Sequence, residues 1–544
     1  MKLKPLFAVV GVFAGCADHP YDPDAPAFDR NAPRVHIVSP ARGTIAGDVT
    51  HVLVGGTASD DLGIKAVSVN GAQAAVADDG TWVVDVGVAP GTTLLHAVAV
   101  DEQGNQGEET RAVVAGPMLS VARHIDSGIR AAVSAPALNA LGRGTATFIE
   151  NGGLMTAVLG MNPVVDVGGG PDCLYAQASI TALTMHDADV LMGPTNGAVL
   201  VSAVLNDVRV GVHLQWAVSC VDGARDVMLT ADRVTVNGRL AVGVINHSLD
   251  VQFPNPQVQV TGFNLVSEDV PDGIVQMLGL DAAIGPILGS MTGRLVTPMV
   301  ERSLSALDDA KTLDVAGTKI DVDVQPTQVN FTDLGGTIIL DSSFRAQGDS
   351  GGFVLVPNNP PALGMTHGFE IAVADDAANQ LLTSMWSAKA FDGTLDLATS
   401  PYEDISKLYD IVQLQMKLPP YVDASHRPLE LTIGDWIATF SGDGVVPTTV
   451  AIHAKSALYV VEGDDGKLRI DLSTPLVTID VEGDGQFITK GQYDAIKSFA
   501  VEHIKTIGSA AVATIPLPVI GDVTPTNLWV DPESDYLLIV GEIQ

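Results

Sequence analysis

The stretch GAVLVSAVLNDVRVGVHLQWAVSC, residues 197–220, alternates apolar and polar side chains over much of its length. Alternation of period two puts successive side chains on opposite faces of a sheet. An ordinary strand has about 5–6 residues, and this run goes far past that. CLYAQASITALTMHDADVLMG (173–193) and RDVMLTADRVTVNGRLAVGVINHSLDVQF (225–253) continue the pattern on either side. Strands this long, with no helices alternating between them, imply a large, highly curved antiparallel sheet or a barrel.

One plan of elements occurs twice around such strands. GIRAAVSAPALNALGRG (128–144) reads as a short strand and then a helix from about Ser134; FEIAVADDAANQLLTSMWSA (369–388) mirrors it. Long strands follow in both halves, the second set in LELTIGDWIATFSGDG and TTVAIHAKSALYVVEGDDG. Each half then carries an amphipathic helix. In 281–308, Ile284, Ile287, Leu288, Met291, Leu295 and Met299 recur at three- and four-residue spacing, and Pro298 predicts a kink. In 489–515 the corresponding residues are Ile496, Phe499, Val501, Ile504 and Ile507. A strand pair closes each half, TKIDVDVQPTQVNFTDLGGTIILDSSFRAQ in the first and NLWVDPESDYLLIVGEI in the second. A repeat of this size means two copies of one fold.

The repeated order, with IPLPVIGDVTPTNLWVDPESDYLLIVGEI at the end and FEIAVADDAANQLLTSMWSAKAFDGTLDL opening the second copy, resembles the bactericidal/permeability-increasing and lipid-transfer-protein family over about residues 118–544. The resemblance implies a mostly β protein with long helices (α+β), containing two tandem barrels at 118–347 and 369–544. Each would be a curved antiparallel sheet wrapped around a long helix, with 348–368 as linker. It further implies apolar pockets between helix and sheet that hold phospholipid acyl chains or another apolar ligand. The two helical stripes named above would line them. The alternative for any such stripe is plain core. Antibacterial members grip lipopolysaccharide with a basic tip, and no Lys/Arg cluster matches it here.

Residues 34–117 differ in character. Short alternating segments are separated every 8–12 residues or so by turns such as Asn70-Gly71 and Pro90-Gly91, the spacing of a small β-sandwich with Trp82 in its core. This segment resembles bacterial immunoglobulin-like domains. Calcium binding is the lesser alternative for its Asp-rich turns, since polar turns are the default.

The N-terminus, MKLKPLFAVVGVFAGCADH, has two lysines, a short apolar run and small residues before Cys16. That is a secretory signal layout over 1–15. VFAGC resembles a bacterial lipobox, which implies lipidation of Cys16 and a place in the cell envelope; a plain signal peptide is the alternative. Residues 16–33 then form a Pro- and Asp-rich tether. In an oxidising compartment Cys173 and Cys220 favour a disulfide closing a loop of roughly 48 residues, worth about 4 kcal/mol of chain entropy; two buried thiols are the alternative. A formal net charge of −35 excludes nucleic acid as a partner.

The pentapeptide around Ser350, Gly-Asp-Ser-Gly-Gly, matches the nucleophile signature of chymotrypsin-like proteases. A nucleophilic serine needs a histidine base and a carboxylate behind it. His213 stands at a plausible separation, but within a strand pattern and without the expected small-residue and cysteine setting. No catalysis, metal or cofactor is expected. The functional readings are a lipid-binding envelope lipoprotein, a surface adhesion or scaffold lipoprotein acting through 34–117, and, far behind, a serine hydrolase.

Overall fold

The computed structural model describes residues 31–543 except 154, 156–158, 161, 169–173, 219–220, 267–310, 316, 349–350, 357–358, 426–428, 463–467, 484–487 and 513–524. The signal segment with Cys16, most of the tether, Cys173, Cys220, Ser350 and the 281–308 stripe (Ile284, Ile287, Leu288, Met291, Leu295, Met299) lie outside the described residues.

Residues 34–115 form a sandwich of two sheets. Arg34–Ser39, His51–Ser59 and Thr81–Gly87 run in one; Thr44–Gly47, Gln106–Ala115, Gly91–Asp101 and Ile64–Val69 in the other. In Thr81–Gly87 every second residue is buried, which puts Trp82, Val84 and Val86 in the core. Gly56 makes room for the indole, because a Cβ there would collide with the His36 carbonyl and the Trp82 ring. Gln106–Ala115 departs from alternation, and from Glu109 onward both faces are buried. Val113 and Ala115 face the sandwich core, while Ala112 and Val114 pack on Val354 and Leu418 of the following chain.

Beyond the sandwich the molecule is mostly β, with two curled sheets. The first half is dominated by the hairpin of Ala198–Val218 with Val221–Ile245, paired from Val199–Leu240 to Val218–Val221. A straight strand as long as the 25 residues of Val221–Ile245 would measure about 80 Å, so it buries one face only by twisting and coiling. The second half has its own curled sheet, built on Glu430–Gly442 and Val445–Glu462.

The halves are not independent barrels. A third, seven-stranded sheet belongs to both. Ile125–Ser134 and Phe369–Ala374, the opening strands of the two copies, pair antiparallel at its centre, with Ile129 opposite Val373, Ala131 opposite Ile371 and Val133 opposite Phe369. Each is flanked on its outer side by the strand pair of its own copy, Thr318–Thr332 with Gly335–Ala346 and Pro525–Glu533 with Tyr536–Ile543. Within 348–368, Gly352–Val354 forms a strand on Met118–Ser120, because Phe353 and Val354 have a core to enter.

Each opening strand leads straight into a helix, α1 at Ala135–Glu150 and α2 at Asp375–Ser387. Ser134 caps α1, its Oγ accepting the Ala137 amide at 3.4 Å. A third helix, α3 at Lys490–Val512, packs on Leu468–Leu472 and Leu476–Val481.

The sandwich is locked to the second half by ionic contacts. Arg42 Nη1 donates to Asp435 Oδ1 at 2.7 Å, and Nε to Glu482 Oε1 at 2.6 Å. Asp435 is completely buried and also accepts the Gly43 amide at 2.9 Å. It stands in a one-residue bulge of Glu430–Gly442, between the pairs Ile433–Ala454 and Trp436–Ile452, at a φ of 48°. Gly434 beside it touches the sandwich, since a Cβ there would collide with Ala112.

Arg42→Met leaves the Asp435 carboxylate buried without its cation. It is expected to lower stability by about 3–5 kcal/mol, read as the shift in urea unfolding, and Asp435→Ala in the same chain should restore part of it. An unchanged midpoint would show that the contact contributes nothing.

Candidate apolar binding cavity

The second half contains a cavity of ≈ 90 Å³. A single water needs only about 10–15 Å³, so several would fit. The walls give them almost nothing to bind. α2 contributes Ala378, Leu381, Leu382 and Met385; α3 contributes Ile504, Ile507 and Gly508. The sheets contribute Leu431, Ile433 and Trp436 from Glu430–Gly442, and Leu537 and Ile539 from the last strand.

The bulge at Gly434–Asp435 shapes this wall. Before it the odd residues Leu431 and Ile433 face the cavity; the extra residue shifts the alternation, so that Trp436 faces it next. Asp435 is released toward the sandwich and Arg42 by the same irregularity.

α2 is held in place by its polar face. Gln380 Oε1 accepts the Phe344 amide at 2.8 Å, and Ser384 Oγ accepts the Ala346 amide at 2.6 Å, both from the last strand of the first half. Asn379 binds both backbone groups of Val422, at 2.7 and 2.9 Å. These side chains are almost fully buried, and they leave α2 a single apolar face to turn toward the cavity.

Of the residues expected on the second stripe, Ile504 and Ile507 line the cavity. Ile496 and Phe499 are buried elsewhere in the same core; the Phe499 ring meets Tyr402 at 4.9 Å and Phe440 at 5.5 Å between centroids. Val501 is half-buried against that core. The α2 wall was not anticipated, although its three- and four-residue apolar spacing is visible in 378–385.

Two titratable groups stand close by. Burial, followed by the neighbouring carboxyl groups of Asp376, Asp535 and Asp423, raises the lining residue Asp375 to a pKa of about 8, against the pull of the Ala424 amide. His503 adjoins Ile504 and lies between the Trp436 and Phe499 rings, 5.5 and 5.2 Å away. Its Nδ1 shares a hydrogen bond of 2.8 Å with the Tyr402 hydroxyl, and burial lowers its pKa to about 4.

Of the residues considered for hydrolysis, Ser350 lies outside the described residues, and only its chain neighbours and His213 can be placed. Gly351 and Gly352, next to Ser350, adjoin Val121 and Ser120. His213 lies in the long first-half hairpin, Nδ1 2.6 Å from Asp226. Among the described residues no group of three or more His, Cys, Asp or Glu side chains is placed to hold a metal ion, and no helix is long and apolar enough to cross a membrane.

Residues 33–116 match the family model described as glucodextranase, domain B. Among solved structures, lipopolysaccharide binding protein aligns over 77% of this chain and 99% of its own, at 12% identity and a TM-score of 0.42. P47 of Clostridium botulinum aligns over 78% and 100%, at 8% identity and 0.24, and latherin over 32% and 89%, at 15% identity and 0.14. No curated protein sequence matches the chain.

His503 is uncharged in the folded protein at neutral pH, whereas the unfolded chain protonates it below about 6.5. Its contribution is therefore present above that value and is lost as pH falls toward 4. Between pH 7 and pH 5 it should cost the native state about 2 kcal/mol, a pH dependence that His503→Phe should remove from denaturation curves. Identical slopes for both proteins would contradict a buried neutral imidazole.

Proposed function

We propose that the second half binds a lipid, holding its acyl chain in the cavity between α2, α3 and the curled sheet, and that the protein does so as a lipid-anchored component of a bacterial envelope. The observation that carries the reading is the apolar cavity between two helices and a sheet. On the scale measured for engineered voids, an empty cavity of ≈ 90 Å³ costs about 2 kcal/mol. Each methylene of an acyl chain that enters it brings ~0.8 kcal/mol of transfer free energy. The repeated order of strand, helix, long strands, helix and strand pair adds a resemblance to lipid carriers. Whether the lipid is stored or passed on is a further step of the same proposal.

The anchor rests on the N-terminal sequence. Triacylation of Cys16 would hold the chain firmly, where one acyl chain would not. The proposed Cys173–Cys220 bridge would close the chain just beyond the paired residues Leu174 and Val218. The sandwich, docked through Arg42 and Ala112, acts in this reading as a rigid support for the second half.

Purified protein extracted with organic solvent should release lipid in near-stoichiometric amount by mass spectrometry. Leu381→Trp, which fills the cavity from α2, should reduce the yield several-fold with the fold intact by circular dichroism. Wild-type protein that carries no lipid and takes up none from vesicles would sink the proposal. In a bacterial host, Cys16→Ala should abolish labelling by a palmitate analogue and release the chain from the membrane fraction.

A further inference from the structure

α2 presents Asp375, Ala378, Leu381, Leu382 and Met385 to the cavity, a stripe about 15 Å long at the helical rise, with Asp375 at its N-terminal end. Asp375 is 6% exposed. Its Oδ2 accepts the Ala424 amide at 3.0 Å, and its Oδ1 has no partner. Among the described lining residues the only other buried polar side-chain atom without a partner is Trp436 Nε1.

A buried oxygen left unpaired is costly, and native sites that keep one have a reason for it. Here the residue that carries it lines one end of an apolar slot. We propose that the cavity takes an uncharged, single-chain lipid alcohol, polar end inward, with its hydroxyl hydrogen-bonded to Asp375 Oδ1. This identifies the ligand class of the site described above and rests on its reading as a lipid cavity.

The choice among head groups follows from counting partners and charges. An ammonium brings three donors and a full charge, while the cavity offers one unpaired oxygen; the indole N–H can only donate and gives it nothing. A carboxylate would add a negative charge to a place that already faces Asp376 on α2, Asp423 on Tyr421–Asp423 and Asp535 ahead of the last strand, along with the hydroxyls of Tyr421 and Tyr536. A hydroxyl brings one donor and an acceptor and no charge. It accepts from Asp375 while the carboxyl is protonated, the prevailing form at neutral pH, and donates to it otherwise.

The test is displacement of N-phenyl-1-naphthylamine from the full-length protein at pH 7 by 1-dodecanol, dodecanoate and dodecylamine, three heads on one tail. Dodecanol is expected to displace the dye at about tenfold lower concentration than either charged analogue, the factor for one buried hydrogen bond or one uncompensated charge. Asp375→Leu should remove that preference, and Asp375→Asn, which keeps a hydrogen-bonding head, should retain it. Equal displacement by all three, displacement led by a charged analogue, or a preference that survives in Asp375→Leu would overturn the assignment while leaving the cavity a lipid site. Failure of the dye to bind wild-type protein would overturn the lipid reading and this inference together. If Asp375→Leu does not fold, the order of the three competitors on wild-type protein decides the question.

Discussion

The antiparallel pairing of Ile125–Ser134 with Phe369–Ala374 is the contact on which the rest of the architecture hangs. These strands open the two copies of the repeat, and joining them side by side relates the copies by an approximate twofold. Each copy then completes its side of the shared sheet with its own closing strand pair. The residues in the join are buried: Ala131, Phe369 and Ile371 share a cluster with Ile539 of the last strand. A slip of one residue would turn those side chains to the opposite face, so apolar burial fixes the register. Because α2 starts where the second opening strand ends, the register of this pair also sets where the cavity wall begins.

α2 shows how a cavity survives in a well-packed protein. Collapse would fill the void if the helix were free to settle inward. Gln380 and Ser384 bind backbone amides of the first half, and Asn379 binds Val422. Such buried hydrogen bonds cannot be exchanged for a small gain in packing, because an orphaned amide or carboxamide costs about 1–3 kcal/mol. That is of the order of the void's own cost. The polar face of the helix holds the apolar face at a distance.

Much of the architecture was legible in the chain. Period-two alternation marked the sandwich strands and the long hairpin, and helical spacing located 375–387 and 490–512, since both are local properties of sequence. The shared central sheet was not legible, and two separate barrels were expected, because nothing in 125–134 says that its partner lies in 369–374. For the site, the α3 stripe contained Ile504 and Ile507, but periodicity cannot separate them from Ile496 and Phe499: a helix surrounded by core is apolar on more sides than the one facing a void. Nothing in the spacing of Asn379 and Gln380 marks them as buried, and only the fold reveals it. The ion pair of Arg42 with Asp435 spans 393 positions and leaves no local trace.

The bulge at Gly434–Asp435 joins these strands of argument, because one inserted residue serves two surfaces. It turns Trp436 into the cavity wall, and it frees Asp435 to meet Arg42 on the sandwich side. An unbulged strand that kept Leu431 and Ile433 on the cavity face would put Asp435 there too and turn Trp436 away. The left-handed φ at Asp435 is a strained conformation for a non-glycine residue. The hydrogen bonds from Gly43 and Ala112 and the charge of Arg42 offset that strain, and all three come from the sandwich. The N-terminal domain therefore helps shape the cavity without lining it. Docking the sandwich stabilises the bulge, the bulge positions Trp436, and Trp436 lines the slot together with α2.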